Sequence, residues 1–426
     1  MKRYSLFTLI FFIPLTSVCF SSCQGEALVD TFLLDENISL PQAILHGNTL
    51  MGKQVAVSKY DGEIYAHDSK ILISDGIGYC VYNGNDLSTQ EGVAGQTIRL
   101  SVFNIDDPHK KKIFDVFKEN VEYKTLKLDK NYPCYTPVCF LTEEKKIRVL
   151  CKVYVNLVQK CYFRDFDPKT ETFSDPQVSK IKINSTNELI DFDILNVRKH
   201  LKYLFGEKYQ LSTDFMFLSA EPLNKGNTSY MGLTIGVFST NWIKDSGTTI
   251  LLKTNDAGKT FDLIGAPDGS SIKSKYNSQF VEGAFIFNSE NELIALGRNS
   301  LGGIMYTKST DGGYKFETPY ALNEECNFNT LASKMNFIKI NNGYLSVWNT
   351  RENFGNTNSR TVLEIRYGSN PKVCNNPVKI VIKNEFGCHY PSIYKYNNKY
   401  YLTYTTDSRR FNRNSTGEIA FVKLPF

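Results

Sequence analysis

The side chains of this chain best placed to do chemistry recur at two positions in short strand–turn–strand segments. The first strands open on titratable or hydroxyl groups: His67 or Asp68, Thr136, Asp214, Glu282, Lys334 and Tyr390. The second strands close on Asn83, Lys152, Asn241, Arg298, Arg351 and Arg409. The first set can move protons. The second makes a locally cationic surface, whose guanidiniums can hold carboxylates by charge-assisted, often bidentate hydrogen bonds. The chain has no CxxC pair, so a structural zinc site is not expected, and no other metal or cofactor is implied.

These groups must be positioned by hairpins. His389–Tyr396, the turn Asn397-Asn398-Lys399 and Tyr400–Tyr404 read as strand, turn, strand. Comparable pairs are Asp68–Ile73 with Tyr79–Tyr82, Thr136–Leu141 with Ile147–Val155, and Asp214–Leu218 with Tyr230–Phe238. Two more are Phe280–Phe287 with Leu293–Leu296 and Met335–Ile340 with Tyr344–Trp348. Modules repeating every roughly 40 to 80 residues, each supplying about four strands, are the signature of a β-propeller. A β-sandwich with coincidental hairpins is the plainer alternative. The expected fold is therefore all-β, a six-bladed β-propeller, with residues 1–22 a signal peptide, 23–44 a linker and 45–426 the propeller.

Thr254–Phe261 and Ser309–Phe316 share the pattern [ST]-x-D-x-G-x-x-F and lie at equivalent places in successive modules. The pattern resembles the Asp box of sialidase-type propellers, with Lys315 where the second copy would carry Thr. It implies a turn between outer strands, closed by Asp and Ser/Thr hydrogen bonds around a positive-φ glycine. Asp167–Phe173 is a degenerate candidate for a third copy. Glu188–Gly206 breaks the β pattern: Leu189, Phe192, Leu195, Leu201 and Leu204 share a helical face, which predicts a helical insertion packed on the propeller flank. Residues 45–60, including Gln54–Ser58, read as an extended segment, a candidate to complete the last blade and remove its open edge.

The later modules carry a closer resemblance. Phe280–Asn299, in which Glu282 precedes a hairpin ending in Arg298, resembles a segment of the family 33 sialidases. Ser359–Ser369 resembles the segment bearing that family's third carboxylate-binding arginine, here Arg360, and Tyr390 matches the position of its tyrosine nucleophile. The resemblance implies that the arginines clamp a substrate carboxylate, that Tyr390 attacks the anomeric carbon, and that Glu282 takes its proton. Sialidases are an exception to the two-carboxylate rule of glycosidases, since a neutral phenol is not repelled by an anionic sugar.

The match departs from the family in the first blade, because this chain has no Arg-Ile-Pro segment. His67-Asp68-Ser69 or Tyr135-Thr136-Pro137 stands there instead, and Arg351 or Arg409 is left to supply the missing arm. Asp86, in the loop after the first hairpin, is the candidate general acid. Each residue also has a plainer reading: Tyr390 as one more strand aromatic, Glu282 and Arg298 as a structural ion pair, Asp86 as an exposed turn residue.

The resulting expectation is an exported, sialidase-like exo-glycosidase acting on terminal acidic sugars. The alternatives are a non-catalytic glycan-binding surface propeller, or a glycosidase or polysaccharide lyase of other specificity, in which His67 or His389 serves as acid or base. Composition agrees with a folded strand-rich chain: 426 residues, 42% hydrophobic and 13% aromatic, with 25 Tyr and 29 Phe against 2 Trp. The net charge of +5 is too balanced to mark a nucleic-acid binder. The expected partner is an acidic glycan, and the expected state a monomer.

Lys2 and Arg3 followed by the apolar run Ser5–Phe20 form a secretory signal, and Phe20-Ser21-Ser22-Cys23 resembles a loose bacterial lipobox. Localisation is therefore expected to be secreted, periplasmic or at the cell surface, tethered if Cys23 is lipidated. Eight further cysteines permit disulfides in such a compartment, with pairing inside the Cys134–Cys161 cluster or buried free thiols as the alternatives.

Overall fold

The computed structural model describes residues 38–425 apart from 60–61, 120, 184–185, 206–214, 237–246, 269–271, 273–274, 277, 300–302, 327–329, 332, 341–342, 351–359, 386 and 408–416. Cys23, Asp214, Asn241, Arg351 and Arg409 thus lie outside the described residues.

All six hairpins form, and each becomes the inner half of a sheet that is antiparallel except in blade three, where Lys180–Lys182 joins Thr260–Gly265 in parallel. Their first strands are Tyr65–Ser74, Tyr135–Leu141, Phe215–Leu218, Val281–Phe287, Asn336–Ile340 and Cys388–Tyr396. In blades one, two, four and five the strands follow one another from inside outward in chain order. Each of these inner strands contacts that of the following blade, and Cys388–Tyr396 returns to Tyr65–Ser74, so the sheets close into a ring. The architecture is a six-bladed β-propeller.

The inner strands Tyr65–Ser74 and Val281–Phe287 are buried along nearly their whole length, on both faces. The core is correspondingly divided into layers between neighbouring sheets. Val81, Leu100, Val149 and Phe166 fill the space between blades one and two, and Leu150, Phe163, Leu233 and Phe261 that between two and three. Leu251, Phe280 and Leu293 fill the next, Ile294, Phe337 and Trp348 the one after, and Leu345, Ile365, Leu402 and Tyr404 lie between five and six. Ile71, Tyr82, Phe103, Tyr401 and Phe421 seal six against one.

The ring is closed as expected: Val55 and Ala56 pair with Phe421 and Ala420, so the fourth strand of blade six comes from the N-terminal side of the chain. The segment before it differs from expectation, because Leu40–Met51 is a helix. Pro41 stands in its first turn, and the Ser39 amide donates to Gln42 Oε1 at 2.9 Å. Ala43 packs with Val362 and Val381 of blade five, and Gly47 lies so close that an added Cβ would meet the Val381 carbonyl. The end of the linker assigned to 23–44 and the start of the extended segment assigned to 45–60 therefore give way to a docked helix over Leu40–Met51.

The helical insertion also begins later than its apolar spacing predicts. Leu189–Asp191 is a strand that pairs with Lys180–Lys182, adding two outer strands to blade three, and the helix runs Ile194–Phe205. Asp193 sets that start, its Oδ1 accepting from the Asn196 amide at 2.8 Å as an N-cap. Val197 and Leu201 bury against the flank with Phe192 and Phe261.

The two [ST]-x-D-x-G-x-x-F segments close turns between third and fourth strands. Thr254 Oγ1 accepts from the Gly258 amide at 2.9 Å and Asp256 Oδ1 from the Thr260 amide at 2.9 Å. Ser309 and Asp311 repeat both bonds to Gly313 and Lys315, at 2.8 and 2.9 Å. Lys315 replaces Thr harmlessly because only its amide is used. The Asp167 turn occupies the same place in blade two, but its carboxylate accepts from Lys169 two residues on and no hydroxyl bridges it.

The cysteine cluster does not pair. Cys134, Cys139, Cys151 and Cys161 are buried free thiols, as are Cys80 and Cys388, while Cys326 and Cys374 form a disulfide with Cα atoms 6.2 Å apart. Cys134, Cys139 and Cys151 share the layer between blades one and two without bonding and Cys161 lies in the next, whereas Cys326 and Cys374 meet between blades four and five.

Candidate active site

Four inner strands share an unusual backbone feature. Asp68, Thr136, Glu282 and Tyr390 have φ of 52°, 47°, 51° and 55°, in the left-handed region that non-glycine residues rarely adopt. Each falls where the ladder to the second strand slips, between His67 and Lys70, Tyr135 and Val138, Val281 and Ala284, or His389 and Ser392. Such backbone costs on the order of 1–3 kcal/mol per residue and persists only where the surroundings enforce it. Here the bulge turns one polar side chain per blade into the channel mouth, and all four line one cavity of about 640 Å³.

Polar side chains from the preceding blade brace these bulges. Asn83 Oδ1 accepts from the Thr136 amide at 3.0 Å, and Thr234 Oγ1 from the Glu282 amide at 2.9 Å. Asn349 Nδ2 donates to the Cys388 carbonyl at 2.7 Å, and Ser69 Oγ bonds Thr403 Oγ1 at 3.0 Å. Asn83, expected among the functional strand ends, is thus a brace. Thr234→Val should leave the buried Glu282 amide unpaired, lowering stability by about 1–3 kcal/mol in urea unfolding.

At the centre, Tyr390 donates its hydroxyl proton to Glu282 Oε1 at 2.7 Å, and Arg298 Nη1 donates to Glu282 Oε2 at 2.8 Å and to the Tyr390 oxygen at 3.1 Å. The Arg360 guanidinium lies 5.3 Å from the Tyr390 ring centroid. Burial, reinforced by the Glu282 carboxylate, raises the Tyr390 pKa well above the ordinary phenol value, so the phenol is held neutral against its acceptor.

His67 packs against Tyr390 with ring centroids 4.2 Å apart, and its Nδ1 is 3.0 Å from Thr405 Oγ1. Burial keeps its pKa well below the usual imidazole range. At the head of blade one, Asp68 meets Lys334 at 2.9 Å and Lys70 at 3.1 Å. Burial opposes ionisation of Asp68, but the two ammoniums outweigh it and hold its carboxyl well below the usual range.

Asp86 is not brought to the cavity. Arg99 Nη2 and Lys59 Nζ hold its carboxylate at 2.7 and 3.0 Å, in a network with Glu63 at the edge of blade one. The acid that does reach the mouth is Glu91, later in the same loop and lining the cavity. Its Oε2 is 3.8 Å from His67 Nε2. Gly92 lets this loop lie on Tyr135, since a Cβ there would strike the Tyr135 hydroxyl. The protein around it, with Asp68 and Glu282 nearby, pushes the Glu91 pKa up to about 7. Its side chain still keeps 42% of its surface open, so water in the cavity moderates that rise. Glu91 carries no sequence signal beyond membership of a loop between paired strands.

No family model and no curated protein matches this chain. Solved structures do. A protein of unknown function from Dyadobacter fermentans superposes with a TM-score of 0.59 at 10% identity, over 87% of this chain and 97% of that one. Trypanosoma rangeli sialidase, in its covalent complex with 2,3-difluorosialic acid, gives 0.58 at 11% identity, over 87% of this chain and 59% of that one. The NanB sialidase of Streptococcus pneumoniae gives 0.53 at 10% identity, over 87% and 70%. The fold is that of the sialidase propellers. The chain spans about three fifths of the trypanosomal enzyme's length.

Proposed function

We propose that the chain is an exported, sialidase-like exo-glycosidase that removes terminal acidic sugars from glycans. The carrying observation is the Tyr390–Glu282 hydrogen bond of 2.7 Å, bridged by Arg298, at the floor of an open cavity. Tyr390 Oη bonds to the anomeric carbon while its proton passes to Glu282. The glycosidic C–O bond breaks, and the departing oxygen takes a proton from Glu91. Water then attacks the glycosyl-tyrosine with Glu91 as base, and Glu282 returns the proton to the phenolate. Arg298 and Arg360 would hold the sugar carboxylate. The Cys326–Cys374 disulfide supports an oxidising compartment.

The test is hydrolysis of 4-methylumbelliferyl and alkyl α-sialosides. Both should be cleaved by the wild type, and failure on a panel of acidic glycosides would sink the reading in favour of a glycan-binding propeller. Glu91→Gln should slow the alkyl glycoside by about 10²–10⁴-fold, while the aryl glycoside, whose leaving group needs no proton, should react nearly as before in its first step. Because Glu91 must be protonated to act and its pKa is pushed up to about 7, wild-type activity on alkyl glycosides should fall as pH rises through that value.

A further inference from the structure

Lys152 is buried to 4% exposure on the second strand of blade two, yet it lines the cavity. Its ammonium sits 4.0 Å from the Tyr135 ring centroid and 5.5 Å from that of Tyr154. Among the described residues it has no carboxylate partner and no hydrogen-bond acceptor, and its nitrogen is not sealed from the cavity. The buried ammoniums of Lys70 and Lys334, by contrast, share Asp68. A buried charge without a counter-ion is costly, and two ring faces compensate only part of that cost. The cage is also held in place: Gln159 Nε2 donates to the Tyr154 hydroxyl at 2.7 Å, Gln159 Oε1 accepts from the Met216 amide at 2.8 Å, and Tyr132 packs on Tyr154 at 4.7 Å.

We propose that Lys152, with the rings of Tyr135 and Tyr154, forms a second anion subsite, which takes an oxyanion substituent of the sugar besides the carboxylate assigned to Arg298 and Arg360. A neutral acceptor would leave the ammonium uncompensated; a sulfate, phosphate or second carboxylate supplies the missing charge. The assignment rests on the glycosidase reading only for the carrier being a sugar. Burial lowers the Lys152 pKa to about 7 against the raising effect of nearby Cys161, Glu91, Cys134 and Cys151, and an anion bound beside it would favour the charged form.

Selenate, an anomalously scattering analogue of sulfate, tests the subsite directly. Crystals of the wild type soaked in selenate should show an anomalous peak beside Lys152 Nζ, and Lys152→Met crystals should lack it. No peak there, or a peak that persists in Lys152→Met, overturns the proposal. Calorimetry with N-acetylneuraminic acid and its O-sulfate esters gives the second arm. At least one ester should bind the wild type about tenfold more tightly than the parent acid, the gain of one charge-assisted contact, and Lys152→Met should erase the difference. A preference that survives Lys152→Met also overturns it. If neither acid nor ester binds, the acidic-sugar reading fails, while the selenate arm still decides the subsite.

Discussion

Tyr390→Phe should lower turnover of an aryl sialoside by at least about three orders of magnitude while leaving the propeller folded. The variant loses the hydroxyl that the proposed mechanism uses as nucleophile and nothing else of the ring. Glu282 keeps Arg298 as its partner at 2.8 Å, so the expected stability loss is only about 1–3 kcal/mol. Glu282→Gln should be comparably inactive, because an amide cannot take the phenol's proton. The double variant should be hardly worse than either single one, since the two side chains act as one unit. Steady-state rates together with circular-dichroism melts check this. Strong residual turnover in Tyr390→Phe would transfer the nucleophile's role to another group.

Lys334→Met should be the most destabilising single change in the channel. Lys334 is sealed from solvent and faces Asp68 at 2.9 Å and Glu221 at 3.7 Å. Removing it leaves Asp68 with Lys70 alone and Glu221 with a lost counter-charge, which should cost roughly 3–5 kcal/mol at pH 7. The pH dependence has a definite sign. Wild-type Asp68 is held below the usual carboxylate range, so its stabilisation is present above about pH 4 and fades as pH falls further. Without Lys334, burial raises that carboxyl, so the variant's deficit should be greatest near neutrality and shrink in acid. Asp68→Asn should recover part of the loss in the Lys334→Met background. Urea unfolding at pH 7 and pH 4 decides it, and a deficit unchanged between the two would refute the ion-pair account.

Much of the ring was legible because its signal is local. Each hairpin declares itself by an apolar run, a turn and a second run, and the outer turns by hydroxyl, carboxylate and glycine at fixed offsets. The polar residue at the head of a strand could be picked out, which singled out Glu282 and Tyr390, while Arg298 and Arg360 were singled out by the resemblance to the family 33 sialidases; that these side chains converge on one point is visible only in the structure. The positive φ that aims Glu282 and Tyr390 could not, because it depends on braces such as Thr234 from the neighbouring blade.

Glu91 and Asp86 show the limit most clearly. Both are loop acids after the first hairpin, and only the position of Arg99, on the third strand, decides which of them is captured and which is left at the mouth. Cys326 and Cys374 meet only because blades four and five are neighbours, and no spacing rule links them. The helix at Leu40 straddles the expected linker and the expected extended segment, and what docks it, the approach of Gly47 to the Val381 carbonyl, is a contact between distant parts of the chain.

The pairing of Val55 and Ala56 with Phe421 and Ala420 also fixes an order of events. Ser58 Oγ accepts from the Ile419 amide across 361 residues of sequence, so the last blade stays three-stranded until both distant segments are present. A chain emerging from a ribosome or a translocation pore can assemble its early blades one by one, but it cannot lock them. During that interval Val55 and Ala56 have no ladder partner, and once Gly417–Lys423 has emerged its outer edge stays open to strand-mimicking peptides or a second unfinished copy until they dock. The completed ring is thus also the point at which the chain ceases to be a target for intermolecular strand exchange.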